Sequence, residues 1–133
     1  MPNKSLETPL QKLNNTLNRL EEILEQPLEE HDFILDATIQ RFEFCIELTW
    51  KSLKHLLHSH GIEKHSPREL LQEAYAAGWL SNEKIWLQMM KDRNLTSHTY
   101  EHDRALEIYH HIQEYYPEMR KTYAVMESLT KKQ

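Results

Sequence analysis

The stretch DFILDATIQRFEFCIELTWKSLKHLLHSHG, residues 32–61, decides the fold. Its apolar residues recur at steps of three and four but spread beyond one face: Phe33, Ile34, Ala37, Ile39, Phe42, Phe44, Cys45, Ile46, Leu48, Trp50, Leu53, Leu56 and Leu57. Period-2 alternation is absent, so the pattern predicts one long helix from about Glu29 to His60, closed by Gly61. A helix apolar over so wide an arc belongs at the centre of a bundle, at an interface, or both. Glu43, Glu47 and Lys51 form a polar ladder at spacing four. It reads as a solvated strip with a Glu47–Lys51 pair. Alternatively, Arg41 or Lys51 lines a nucleic-acid cleft.

Upstream, Thr8-Pro9-Leu10-Gln11 carries an N-cap, a proline at the first helical position and a capping-box partner. Leu10, Leu13, Leu17, Leu20 and Leu24 then make a seam that Pro27 ends. Downstream, Ser66-Pro67-Arg68-Glu69 repeats the capping box for a short helix closed by Gly78. Ser81 is expected to cap a fourth helix bearing Ile85, Trp86, Met89 and Met90. A last arm holds Ala105, Ile108, Ile112 and Tyr115, with Pro117 expected to interrupt it before a final turn or two. These elements predict an all-α, antiparallel up-and-down bundle of four to five helices. It forms one domain over residues 1–133, ordered from about 8 to 130.

With 133 residues, the chain can bury a core of its own. A net charge of −5 excludes a general nucleic-acid coat, so any RNA site must be a local positive cleft. The lone Cys45 excludes an internal disulfide and reads as an inert core thiol. No leader-like apolar core opens the chain and no run is long enough to span a bilayer, so the expected compartment is the cytoplasm. Nine histidines lack a cysteine or carboxylate in known ligand spacing, so no metal site is expected. They read as exposed polar positions on amphipathic helices. The absence of a glycine-rich phosphate loop likewise predicts no bound cofactor.

The chemistry concentrates in Lys91-Asp92-Arg93-Asn94-Leu95-Thr96-Ser97-His98-Thr99-Tyr100. On an ideal helix Asn94 and His98 lie within roughly 40° of each other, while Arg93 and Tyr100 share another face. Arginine is a permanent forked cation suited to phosphate, and histidine exchanges protons near neutral pH. Together they suit phosphodiester chemistry without a metal. The same residues also suit a plain helix C-terminus, where Arg and His answer exposed carbonyls.

Arg93, with Asn94 after it and His98 five positions on, resembles the R-x4-6-H signature of HEPN domains. Thr99-Tyr100 extends it to R-x4-H-x-Y, similar to HEPN toxins paired with minimal nucleotidyltransferases. Gln40-Arg41-Phe42-Glu43-Phe44, Glu47-Leu48-Thr49-Trp50-Lys51, Ser66-Pro67-Arg68-Glu69 and Gly78-Trp79-Leu80 add to the resemblance, which runs from about Phe33 to the last helix. It implies a nucleotidyltransferase substrate-binding protein, with Arg93, Asn94 and His98 as the catalytic set of a metal-independent endoribonuclease. It further implies a homodimer with one shared RNA cleft, and a cognate nucleotidyltransferase that adenylylates Tyr100. The other reading is a non-catalytic partner that presents a substrate to that enzyme. Without the resemblance, Tyr100 reads as a helix-end aromatic half buried against the bundle.

Overall fold

The computed structural model describes residues 8–131, and among these it contains five α-helices and no strand. Helix α1 spans Pro9–Leu24, α2 Phe33–Ser59, α3 Pro67–Ala76, α4 Glu83–Leu95 and α5 His102–Lys131. The capping box at α1 forms as its sequence implies. The Thr8 hydroxyl accepts from Gln11 N–H at 3.1 Å, and the Gln11 side chain accepts from Thr8 N–H at 2.9 Å. Ser66 caps α3, accepting from Glu69 N–H at 3.2 Å, but the expected capping box does not close: the Glu69 carboxylate accepts from the Ser66 hydroxyl at 2.9 Å instead of from the Ser66 N–H. Gly61 and Gly78 end α2 and α3 in the left-handed region, at φ 80° and 81°. A β-carbon is disfavoured in that conformation, and glycine alone adopts it without cost.

Helix α2 is the axis of the bundle and touches each of the other four. Arg41 donates to the carbonyl of Arg19 at 2.7 Å, while Pro9 lies near His55, so α1 and α2 run antiparallel. Tyr116 bonds Glu21 at 2.9 Å, and Arg120 bonds Asn14 at 2.8 Å and Asn18, so α1 and α5 are also antiparallel. Ser81 reaches Glu118 and Asp92 reaches His111, giving α4 and α5 the same relation. Phe42 of α2 stacks on Tyr115 of α5 at 5.7 Å in the middle of the core. Leu13, Leu17 and Leu20 of α1, Ile46 and Leu53 of α2, Trp86 and Met89 of α4, and Ile112 of α5 are fully enclosed around that pair. Apolar burial of this extent dominates the folding free energy, at about 25 cal/mol per Å².

Four other boundaries and pairings differ from the sequence reading. Helix α2 begins at Phe33, because His31 is extended (φ −147°) and cuts off a separate 3-10 turn over Leu28–Glu30. The cap of α4 is Asn82, whose side-chain oxygen accepts from Ile85 N–H at 3.2 Å; Ser81 instead donates to Glu118 at 3.0 Å. Glu47 pairs with Arg93 rather than with Lys51. Pro117 does not break the last arm, which stays helical from His102 to Lys131. Proline removes one N–H donor and crowds the preceding turn. The stripe Tyr115, Met119, Thr122 and Met126 nevertheless stays buried on both sides of it, and the Arg120 and Tyr116 bonds clamp that part of α5 onto α1. Tertiary packing outweighs the local penalty.

Candidate functional site

The end of α4 is shaped by threonine hydroxyls. Thr96 Oγ1 donates to the Arg93 carbonyl at 2.7 Å, and Thr99 Oγ1 donates to the Thr96 carbonyl at 3.0 Å. These bonds satisfy carbonyls that a helix terminus leaves open, and they tighten the chain into a 3-10 turn over Thr96–His98. The ideal-helix angles expected for Asn94 and His98 therefore do not extend past Leu95. From the two rises, about 1.5 and 2.0 Å per residue, Arg93 and His98 stand about 9 Å apart along the axis. That separation lies within the combined reach of the two side chains.

Each motif residue has a distinct setting. Arg93 is 29% exposed and donates from one Nη to Glu47 Oε1 of α2 at 2.6 Å. Its Nε is buried without a hydrogen-bond partner among the described residues. Asn94 and His98 are exposed. Tyr100 is 79% exposed, with its ring edge-on to the His98 ring at 6.1 Å, which overturns the half-buried reading of that tyrosine. Thr99 faces a recess of α2 formed by Phe33, Asp36, Gln40 and Glu43. The imidazole and phenol thus stand together in the open, while the arginine is anchored to α2 through Glu47.

The two α2 cations expected near a cleft are not gathered here. Arg41 points to α1 through its bond to Arg19 and lines a recess with Glu22, His31 and Phe33. Lys51 lines a separate cleft near the C-terminal end of α2.

Sequence reading missed Asp92. It is 5% exposed, and its Oδ2 accepts from the Tyr115 hydroxyl at 2.6 Å and lies 2.7 Å from His111 Nδ1. A carboxylate with two donors on one oxygen is held by charge-assisted bonds. With Asp92 ionised, His111 places its proton on Nδ1. Tyr115 is pushed up in pKa by burial first and by its bond to Asp92 second. His111 is therefore no bare surface histidine; it ties α5 to the residue preceding Arg93. The available signal was an acid inside the apolar face of α4, beside Met89.

Elsewhere, His60 packs on Trp79 at 5.4 Å and His58 pairs with Glu63 at 3.2 Å. Among the described residues no group of three His, Cys, Asp or Glu side chains is placed to hold a metal ion. None of their helices is long and apolar enough to cross a membrane.

A helical bundle with an Arg–Asn–His–Tyr turn at the end of its fourth helix defines a HEPN-type domain. Residues 8–128 match the family described as nucleotidyltransferase substrate binding protein like, and the chain belongs to that family. It is 31% identical over 95 residues to a probable ribonuclease HepT of Haemophilus influenzae, an alignment covering 68% of this chain and 65% of that relative's length. A crystal structure from Thermus thermophilus superposes with a TM-score of 0.78 at 32% identity, covering 86% of this chain and 98% of that one. A second structure, from Haemophilus influenzae, superposes at 0.80 with 26% identity over 89% of this chain and 98% of its own. It is described as the fold of a substrate binding domain of a nucleotidyltransferase.

Proposed function

We propose that this chain is an endoribonuclease of the HEPN toxin type, cutting RNA through attack by its own 2′-hydroxyl. The observation that carries the reading is the segment itself: an exposed His98 five positions beyond an Arg93 that Glu47 anchors. RNA contains its nucleophile, so the protein needs only a proton acceptor and a fixed positive charge. His98 takes the proton of the 2′-hydroxyl as the O2′–P bond forms, and the P–O5′ bond breaks to leave a 2′,3′-cyclic phosphate and a 5′-hydroxyl that regains a proton. Arg93 holds the scissile phosphate and the charge that builds on it. Asn94, exposed one residue on, orients the phosphate or the imidazole. No step requires a metal ion. The ribonuclease name of the Haemophilus relative supports this assignment.

The test is cleavage of single-stranded or loop RNA by purified protein in excess chelator, with the product ends identified by mass. Cleavage to a cyclic phosphate, abolished by Arg93→Ala and by His98→Ala, is the expected result. Activity that chelation removes and His98→Ala retains would refute the mechanism.

A second reading concerns the same turn. Tyr100 presents its ring to solvent next to His98, and a phenol so placed is open to an adenylyl donor bound by another protein. In this reading a cognate minimal nucleotidyltransferase acts as antitoxin, adding negative charge and bulk where the RNA phosphate binds. The two are compatible, because a toxin can be its partner's substrate.

A further inference from the structure

Helix α2 carries a second feature of the face that meets Arg93. At about 100° per residue, Lys51, Lys54 and His58 lie within roughly 40° of Glu47, and His55 within about 80°. All four C-terminal members of that stripe line one open cleft of about 360 Å³, closed on its far side by Lys64 and His65 of the α2–α3 connection. Pro9 and Ile62 supply apolar surface there, and Glu63 is the lone acid in the lining, already engaged by His58 at 3.2 Å. Lys64 leans toward Glu69 at 4.0 Å, whereas Lys51 and Lys54 have no ion pair among the described residues. In a chain of net charge −5, three lysines and three histidines around a single cleft are a local inversion of sign.

We propose that this cleft is a docking site for the phosphates of the RNA strand that flank the scissile bond. The proposal rests on the RNA reading of the Arg93–His98 turn and extends it to residues outside the motif. Glu47, which receives Arg93, and His58, at the far side of the cleft, are eleven positions apart on one helix. That is about 16 Å of axis, long enough for an extended strand to set more than one phosphate along it. A strand with its scissile phosphate at Arg93 and lying along α2 brings its next phosphates to Lys51 and Lys54, then to Lys64. Lysine suits this role, since it attracts phosphate as a point charge without selecting bases. An acidic segment of a protein is the other polyanion such a cleft could take, and RNA affinity unmoved by the lysine variants below would point to it.

The experiment uses the full chain with His98→Ala to prevent cleavage and a labelled 12-nucleotide single-stranded RNA read by fluorescence anisotropy over a salt series. Replacing Lys51, Lys54 and Lys64 together by Gln should weaken binding about 10- to 100-fold near 0.1 M salt. The log–log salt slope should fall by about 2, at roughly 0.7 per phosphate contact. Lys51→Ala and Lys54→Ala alone should each cost about 3- to 5-fold, which keeps the test open should the triple variant fold poorly. Arg93→Ala serves as the motif arm. Weakened binding in that arm, with the lysine variants unaltered in affinity and slope, would overturn the cleft and leave the motif reading in place. RNA binding absent from the parent protein, or indifferent to both arms, would overturn both.

Discussion

Replacing Asp92 tests whether the buried carboxylate is a structural keystone between α4 and α5. Asp92→Ala removes the acceptor of two donors at once, Tyr115 Oη at 2.6 Å and His111 Nδ1 at 2.7 Å. Hydrogen bonds to a charged group contribute about 1.5–3 kcal/mol each, and the buried Tyr115 hydroxyl would lose its acceptor and keep only its contact with Gln88. His111 is partly exposed and can turn to water, so a loss of about 3–4 kcal/mol is expected rather than the full sum. An unfolding entropy of about 2.1 cal/mol/K per residue gives this chain about 0.28 kcal/mol/K, so the midpoint should fall by about 10–15 °C. Asp92→Asn keeps an acceptor but not the charge, and should lower it by about 4–7 °C. Circular dichroism melts give these values, and a cycle with Tyr115→Phe isolates the pair at about 1–2 kcal/mol. A midpoint for Asp92→Ala within about 3 °C of the parent would refute the reasoning.

Further outcomes are expected at four places in the chain. Burial pushes the Cys45 thiol up to about 12 from 9.0, partly opposed by Arg120, so a thiol reagent at pH 8 should label it only after denaturant is added. The unfolded chain releases that proton above pH 9 while the folded chain holds it, so stability should fall with rising pH, by roughly 1.4 kcal/mol from Cys45 at pH 10; urea melts of Cys45→Ala should lack that component. Glu47→Gln should cost no more than about 1 kcal/mol in urea unfolding, because both partners of the Arg93 pair are partly solvated, and a loss above about 2 would mark the pair as structural. Co-expression with a cognate nucleotidyltransferase should add adenylyl-sized mass to the native chain and none to Tyr100→Phe; a native chain silenced without added mass would mean inhibition by binding alone. Light scattering at tens of micromolar should show a homodimer through the motif helix and part of α2, since Phe33 and Phe44 of α2 remain exposed at 62% and 46%, and Phe33→Asp with Phe44→Asp should yield monomer.

What the sequence determined by itself is whatever depends on neighbours three or four residues away. The leucine seam of α1, the capping box at Thr8, the N-cap at Ser66, the glycine stops at 61 and 78, and the breadth of the α2 apolar arc are all local, and apart from the reciprocal bond of the Ser66 box each forms as its pattern implies. The motif residues were legible for the same reason, since they occupy one short segment. The tertiary structure decided the rest. Glu47 and Arg93 are 46 positions apart, and Asp92 meets His111 and Tyr115 across 19 and 23, so no periodicity within a helix announces either contact. Ladder spacing favoured Lys51 for Glu47, but an arginine delivered from α4 at 2.6 Å took that carboxylate. Pro117 carries a local penalty that reads as a break, and the buried stripe on either side of it overrides that penalty. Side-chain partners across helices depend on which faces the bundle brings together, and that is set by the packing of the whole core.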